Sequence, residues 1–521
     1  MSRQRPDPIA LELFTNRFRQ LVIEMGELLQ RTAVSVNVKE RLDFSCALLD
    51  DQGRLVVNAP HIPVHLGALG LCVRTVSESV EWRQGDVVMT NHPAFGGSHL
   101  PDVTVILPVF EPDGRLLGFV ANRAHHAEIG GTRPGSMPPN ACCLAEEGVV
   151  FPPTRLAQGG VFDWQSVRAA LEGARHPSRS VDENLADLAA AVAANRRGEH
   201  GLLELARTHG ARTVRYFMRE LSRHAERGAR AALARLGEGR YRAEERLDDG
   251  SRIRVSLEIG GEGTRIDFSG SSAVHPGNLN ATPGIVRSAV LYVLRLLVEE
   301  PLPLNEGLLE GVELVVPEGM LNPAFPSDAE SSPAVVGGNV ETSQRIVDAL
   351  LKALGVVACS QGTMNNVLFG SQSFAYYETV GGGAGAGPDF DGASGVHTHM
   401  TNTAITDPEI LEQRYPVRLE RFAIRRGSGG AGARRGGDGL VRELRFLEPL
   451  EVSVLTQHRV EAPYGVDGGT AGRRGRQWVE PVSGVRRELG SVDGCECAPG
   501  DRLVVETPGG GGWGSSESSS S

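Results

Sequence analysis

Val103-Thr104-Val105-Ile106-Leu107-Pro108-Val109-Phe110, then Glu111-Pro112-Asp113-Gly114, then Leu116-Leu117-Gly118-Phe119-Val120-Ala121-Asn122, is the stretch that decides the fold. Two apolar runs flank a strong turn signal, which predicts an antiparallel hairpin. Upstream stands Asn91-His92-Pro93-Ala94-Phe95-Gly96-Gly97-Ser98-His99-Leu100-Pro101-Asp102. Downstream stands Asn122-Arg123-Ala124-His125-His126-Ala127-Glu128-Ile129-Gly130-Gly131. Residues equidistant from a hairpin turn lie opposite each other. Asp102 lies eleven residues before Asp113 and His125 twelve after it, so both emerge at the open end. His99, on a Gly-initiated loop, folds back to the same place. Two imidazoles and a carboxylate suit Zn²⁺, Mn²⁺ or Fe²⁺. Buried, hydrogen-bonded histidines in a polar loop are the alternative. His125 and His126 point to opposite faces of a strand, and His125 is the preferred ligand.

Outward from the hairpin the elements alternate. Leu11, Phe14, Phe18, Leu21, Met25 and Leu28 form one face of a long helix that starts near Asp7-Pro8. Phe44 to Asp50 and Arg54 to Asn58 read as a second hairpin, and Val87 to Thr90 as a short strand. From Val167 to Leu236 the apolar period is helical. Strand patterns follow at Tyr241 to Glu245, Ile253 to Ile259 and Arg265 to Ser269. Helix patterns follow at Ile285 to Glu299 and Thr342 to Leu354. Beyond Val380 glycine dominates, and Gly381 to Gly387 reads as a flexible or ligand-approaching loop. The expected class is α+β: a large, mixed, multi-lobed chain with β-rich N- and C-terminal parts and a central helical segment. Soft boundaries are 1–160 for the helix and metal-site β region, 161–240 helical, 241–380 mixed and 381–514 Gly-rich β. A disordered tail is expected over 515–521.

Composition narrows the class. With 521 residues, 40% hydrophobic and 22% charged, the chain is an ordinary globular protein. A net charge of -11 and 5% aromatics lack the footprint of a nucleic-acid binder. Arg425, Arg426, Arg434 and Arg435 read as a solvated loop. Seven cysteines, including Cys142-Cys143 and Cys495-x-Cys497, match neither a zinc finger nor a disulfide framework. They are expected to be reduced thiols in a cytoplasmic protein. No signal peptide or membrane span is expected.

Further polar clusters are weaker. Arg41-Leu42-Asp43-Phe44-Ser45-Cys46 on spacing alone reads as a surface Asp beside a buried Cys. In Gly395-Val396-His397-Thr398-His399, alternation puts His397 and His399 on one face of a strand, as metal or carboxylate binders or as a plain polar edge. Ser360-Gln361-Gly362-Thr363-Met364-Asn365-Asn366 is a substrate-binding segment or a structured turn, and Asn278 to Gly284 has the same two readings. Phosphate-loop, dinucleotide and nucleophile-elbow motifs are absent. Asp467-Gly468-Gly469-Thr470 reads as a surface turn.

Taken together, the motifs resemble the hydantoinase B/oxoprolinase family. They run from Glu40-Arg41-Leu42-Asp43-Phe44-Ser45 to Thr507-Pro508-Gly509-Gly510-Gly511-Gly512-Trp513-Gly514 and include His61-Ile62-Pro63-Val64-His65-Leu66-Gly67 and Gly135-Ser136-Met137-Pro138-Pro139. The resemblance implies a divalent metal, Zn or Mn or else Fe, held by Asp43, His99, Asp102 and His125. It also implies a hydantoinase A-type ATPase partner in a hetero-oligomer such as a heterotetramer. The partner would use ATP to phosphorylate a small cyclic amide, and metal-activated water would open the lactam or hydantoin ring here. His126 or Glu128 would shuttle protons. His397, His399, Asn365 and Asn366 would hold substrate. Two other readings remain: a subunit of an ATP-dependent ketone carboxylase, and a non-catalytic scaffold for an ATPase.

Overall fold

The computed structural model describes residues 7–58, 62–261 and 263–515. The chain begins with the helix Pro8–Thr32, where the Asp7 side chain accepts from the Ile9 amide and Pro8 occupies the first turn. Phe14, Phe18, Leu21 and Met25 face the core as the periodicity requires, joined by Leu29 instead of Leu28.

Seven strands build the first sheet: β1 (Phe44–Asp50), β2 (Leu55–Asn58), β3 (Val87–Thr90), β4 (Asp102–Phe110), β5 (Leu116–His125), β6 (Thr154–Gln158) and β7 (Val161–Phe162). Their order is β2-β1-β5-β4-β3-β6-β7, with every neighbouring pair antiparallel. β5 runs on past Asn122, so that Asp102 pairs directly with His125. The sheet is covered on both faces. Phe44, Cys46 and Leu48 enter one core with the Pro8–Thr32 and Val181–His209 helices. Ala47 and Leu49 enter another with Leu69, Val73 and Val76 of the Leu66–Ser79 helix. This is the period of two expected of a strand. The long helix is locked on by polar contacts: the Asn122 side chain donates to the Ala191 carbonyl at 2.7 Å, and that of Asn195 to the Val105 carbonyl at 2.9 Å.

Helices Val181–His209 and Ala211–Leu236 form the central helical part. A second sheet follows, of β8 (Gly239–Arg246), β9 (Arg252–Gly260), β10 (Gly263–Asp267) and β11 (Val312–Val315), with only β10 and β11 parallel. The Ser343–Leu354 helix packs on it, preceded by a π turn at Gly338–Thr342. The C-terminal part adds β12 (Asn366–Gly370), β13 (Ala375–Thr379), β14 (Val417–Arg425), β15 (Gly439–Phe446), β16 (Leu450–Leu455), β17 (Arg476–Glu480), β18 (Arg487–Glu488), β19 (Val492–Cys497) and β20 (Arg502–Glu506). They form sheets ordered β13-β12-β16-β19 and β14-β15-β20-β17-β18. The class is mixed α+β, as expected.

The reading of Gly381 to Gly387 as a flexible or ligand-approaching loop is corrected. The segment is packed against other backbone. A Cβ on Gly383 would lie 2.0 Å from the Gly437 carbonyl oxygen, and one on Gly385 1.8 Å from that of Ala358. These glycines let main chains touch. The condition under which His397 and His399 would share a face, a strand through both, is not met. The segment is irregular, and His399 takes a left-handed backbone with φ of 57°. Arg426, Arg434 and Arg435 are exposed, and all seven cysteines are free thiols. Among the described residues no helix is long and apolar enough to cross a membrane. Of the tail expected to be disordered, residues 516–521 lie outside the described residues.

Candidate metal centre

The hairpin brings its two end residues together through backbone pairing. The Asp102 amide donates to the His99 carbonyl, the His126 amide to the Pro101 carbonyl, and the His125 amide to the Asp43 carbonyl. One donor atom each from His99, Asp102 and His125 falls within 4.8 Å of the others. His99 Nε2 is 3.2 Å from Asp102 Oδ2, and His125 Nδ1 is 3.5 Å from Asp102 Oδ1. All three side chains are buried, yet both His99 ring nitrogens, Asp102 Oδ1 and His125 Nε2 have no hydrogen-bond partner among the described residues. Buried polar atoms without partners are costly, and converging ones fit a cation. Asp43 stands at the edge of this group, its Oδ2 3.9 Å from His125 Nδ1 and 3.7 Å from the Arg41 guanidinium.

The electrostatics suit metal ligation. Burial alone would raise the Asp102 carboxyl, but the nearby His99, His65 and His125 rings hold it well below the usual carboxylate range. Burial lowers His125, so the ring is neutral and has a lone pair to give. Burial likewise lowers His126.

Residues to which the sequence assigns no role complete the surroundings. Ser98 donates to Asp102 Oδ2 at 2.6 Å, and His65 Nε2 lies 3.2 Å from the same oxygen. His65 Nδ1 meets the Ser45 hydroxyl at 3.1 Å. The Tyr377 ring of β13 stacks on His125 with centroids 4.7 Å apart, and the Arg41 guanidinium lies 4.5 Å from the Tyr377 ring centroid. His65 and Ser98 sit inside motifs visible in the sequence. Tyr377 carries no local signal.

The remaining candidates are dispersed. His126 Nδ1 accepts from the Asn184 amide at 3.1 Å. Glu128 accepts from the Gly130 and Gly135 amides and from Arg179, which ties down the turn after His126. Among the described residues Asn366 reaches the centre through Tyr377, whose hydroxyl donates to its Oδ1 at 2.9 Å; its amide donates to Glu341 and the Leu455 carbonyl. Asn365 is engaged by Gln361, the Val380 carbonyl and Arg459. His397 is mostly buried, and burial pushes it down to about 4. His399 Nε2 lies 3.4 Å from Asp348 Oδ1, in a different cluster.

Comparison with known proteins places the chain in a family. The chain is 45% identical to 5-oxoprolinase 1 of Arabidopsis thaliana, over 98% of this chain and 42% of that protein. It is 43% identical to the 5-oxoprolinase of Saccharomyces cerevisiae, over 98% and 42%. It is 31% identical to a putative D-/L-hydantoinase B-type subunit of a Pseudomonas species, over 89% and 82%. The chain thus spans about two fifths of the length of the oxoprolinases it matches. Among solved structures, the ATP-dependent caprolactamase of Pseudomonas jessenii superposes with a TM-score of 0.88 at 27% identity, over 98% of this chain and 92% of that one. Acetone carboxylase superposes with a TM-score of 0.86 at 18% identity, over 98% and 76%, a likeness of fold alone. The hydantoinase B/oxoprolinase family model matches residues 7–516, and the chain belongs to that family.

Proposed function

We propose that this chain is the metal-bearing, ring-opening part of an ATP-dependent hydrolase of cyclic amides, with a 5-oxoproline-like lactam or a hydantoin as substrate. The observation that carries the reading is the convergence of His99, Asp102 and His125 with donor atoms left unpartnered. The names of the oxoprolinase and hydantoinase relatives support the substrate class. ATP is used by a hydantoinase A-type unit. The oxoprolinase relatives are more than twice this chain's length, which leaves room in them for such a unit.

His99, Asp102 and His125, with Asp43 at the edge, hold the divalent ion. When bound, that ion supplies Lewis acidity and makes a water nucleophilic near neutral pH. The chain's own groups do the rest. Ser98 and His65 occupy Asp102 Oδ2, which leaves Oδ1 turned toward His125. Tyr377 fixes the plane of the His125 ring by stacking. His126 accepts the Asn184 amide at Nδ1, so its neutral ring carries the proton on Nε2 and serves as a hydrogen-bond donor to the departing ring nitrogen. Glu128 holds the turn that follows. Tyr377 blocks one face of His125, and the mostly buried His397 is proposed to meet the substrate.

The test compares wild type with His99→Ala and Asp102→Ala. Elemental analysis should show about one equivalent of metal lost in each variant, and ATP-coupled ring opening of 5-oxoproline, assayed together with a hydantoinase A-type ATPase chain, should be lost as well. Variants that keep both the wild-type metal content and turnover would overturn the reading.

A further inference from the structure

A second group of donor side chains is built from other elements. Asp348 lies on the Ser343–Leu354 helix, Cys359 follows that helix, and His458 follows β16. All three are about 1% exposed, and one donor atom of each lies within 4.8 Å of the others. Cys359 Sγ is 3.7 Å from His458 Nε2, which is 3.9 Å from Asp348 Oδ2. Neighbouring ligands of a tetrahedral zinc ion stand roughly 3.3 to 3.8 Å apart, given Zn–N near 2.0 Å and Zn–S near 2.3 Å.

Three further observations point to a ligand. His458 Nδ1 donates to the Glu461 carbonyl at 2.8 Å, so Nε2 presents its lone pair to the group. Neither oxygen of Asp348 has a hydrogen-bond partner among the described residues, and neither does His399 Nε2, 3.4 Å from Asp348 Oδ1. Gly362 brings bare backbone against the donors: a Cβ there would lie 2.4 Å from His458 Nε2 and 2.5 Å from Asp348 Oδ2.

Arg345 is the competing cation. Its Nη1 lies 2.5 Å from His458 Nε2, 3.5 Å from Asp348 Oδ2 and 3.7 Å from Glu245 Oε2, while its Nε and Nη2 make no hydrogen bond among the described residues. Ion binding requires this guanidinium to turn toward Glu245.

We propose that Asp348, Cys359 and His458 form a second metal site, for a thiophilic divalent cation of the zinc class. Thiolate ligation distinguishes it from the nitrogen- and oxygen-only first centre. The Cys359 thiol releases its proton to solvent as the metal–sulfur bond forms.

Cobalt(II) tests this on the metal-stripped full chain, because thiolate ligation gives a near-ultraviolet charge-transfer band that histidine and carboxylate ligands do not. The band should appear in wild type and in Asp102→Asn, whose first centre is broken. It should vanish in Cys359→Ser, while His458→Gln weakens cobalt binding about tenfold or more. Arg345→Gln, freed of the competing cation, should bind cobalt more tightly than wild type. Unfolding curves of each variant separate loss of the site from loss of the fold. The proposal falls if wild type and Arg345→Gln take up cobalt with no thiolate band. Arg345 is then the cluster's permanent cation, and the first centre stands or falls separately.

Discussion

Asp102 gives its two oxygens different tasks. Oδ2 takes the Ser98 hydroxyl and the His65 ring, while Oδ1 has no hydrogen bond among the described residues and faces His125. In the proposed centre His65 is therefore a positioning residue, which sets the carboxylate plane without ligating. His65→Ala should weaken metal binding in a chelator competition by about 10- to 100-fold, with His65→Gln recovering part of it. Unchanged affinity in His65→Ala would remove it from the centre. Glu147 makes a different prediction. Its Oε1 accepts from the Val335 and Val336 amides, its Oε2 has no partner among the described residues, and burial pushes its carboxyl up to about 8. The folded value lies above the unfolded one, so between them the unfolded chain binds fewer protons. The stability Glu147 contributes is full below about pH 4.5 and is lost as pH rises toward 8, by up to about 1.4 kcal/mol per pH unit. Glu147→Gln should flatten denaturant midpoints measured across that window, and parallel profiles for variant and wild type would refute the assignment.

Two glycines separate turn geometry from packing at the scale of elements. Gly114, with φ of 83°, closes the β4–β5 turn, and an added Cβ there would meet nothing within 4 Å, whereas a Cβ on Gly510 would lie 1.9 Å from the Ala384 carbonyl oxygen. Gly114→Ala should cost about 1 kcal/mol from the left-handed backbone alone. Gly510→Ala should cost upward of about 3 kcal/mol, because backbone cannot step aside as a side chain can. Thermal unfolding of both variants checks the order, and equal losses would sink the packing argument. The same contrast explains what is legible in the sequence. The hairpin can be read because a turn signal and a count of residues suffice to pair Asp102 with His125. The Gly381 to Gly387 segment misleads because its partners Ala358, Gly437 and Gly510 lie elsewhere in the chain. His397 and His399 alternate like strand residues, but no strand pairs with them among the described residues. Asp43 and Tyr377 approach the centre only through long-range pairing, Asp43 beside the β1–β5 ladder and Tyr377 on β13, so spacing places neither.

At the scale of the molecule, the candidate centre sits where the N-terminal sheet meets the C-terminal one: β4 and β5 supply Asp102 and His125, and β13 lays Tyr377 against His125. The chain spans 82% of a B-type hydantoinase chain but 42% of the oxoprolinases, so the same unit occurs both in chains of similar length and inside much longer ones. In the proposed function coupling to ATP crosses from one unit to another, and this is testable. An unstrained five-membered lactam keeps its amide resonance and resists water, whereas phosphorylation turns the carbonyl oxygen into a leaving group. The purified chain should bind metal yet open no ring, with or without ATP. Mixed with a hydantoinase A-type ATPase chain, it should form ADP and ring-opened product in equal amounts. Asp102→Asn in the same mixture should stop ring opening, while any ATP cleavage that persists reports the partner's own step. Ring opening by the isolated chain without ATP would refute the division of labour, because the activation step would then have no part in the reaction.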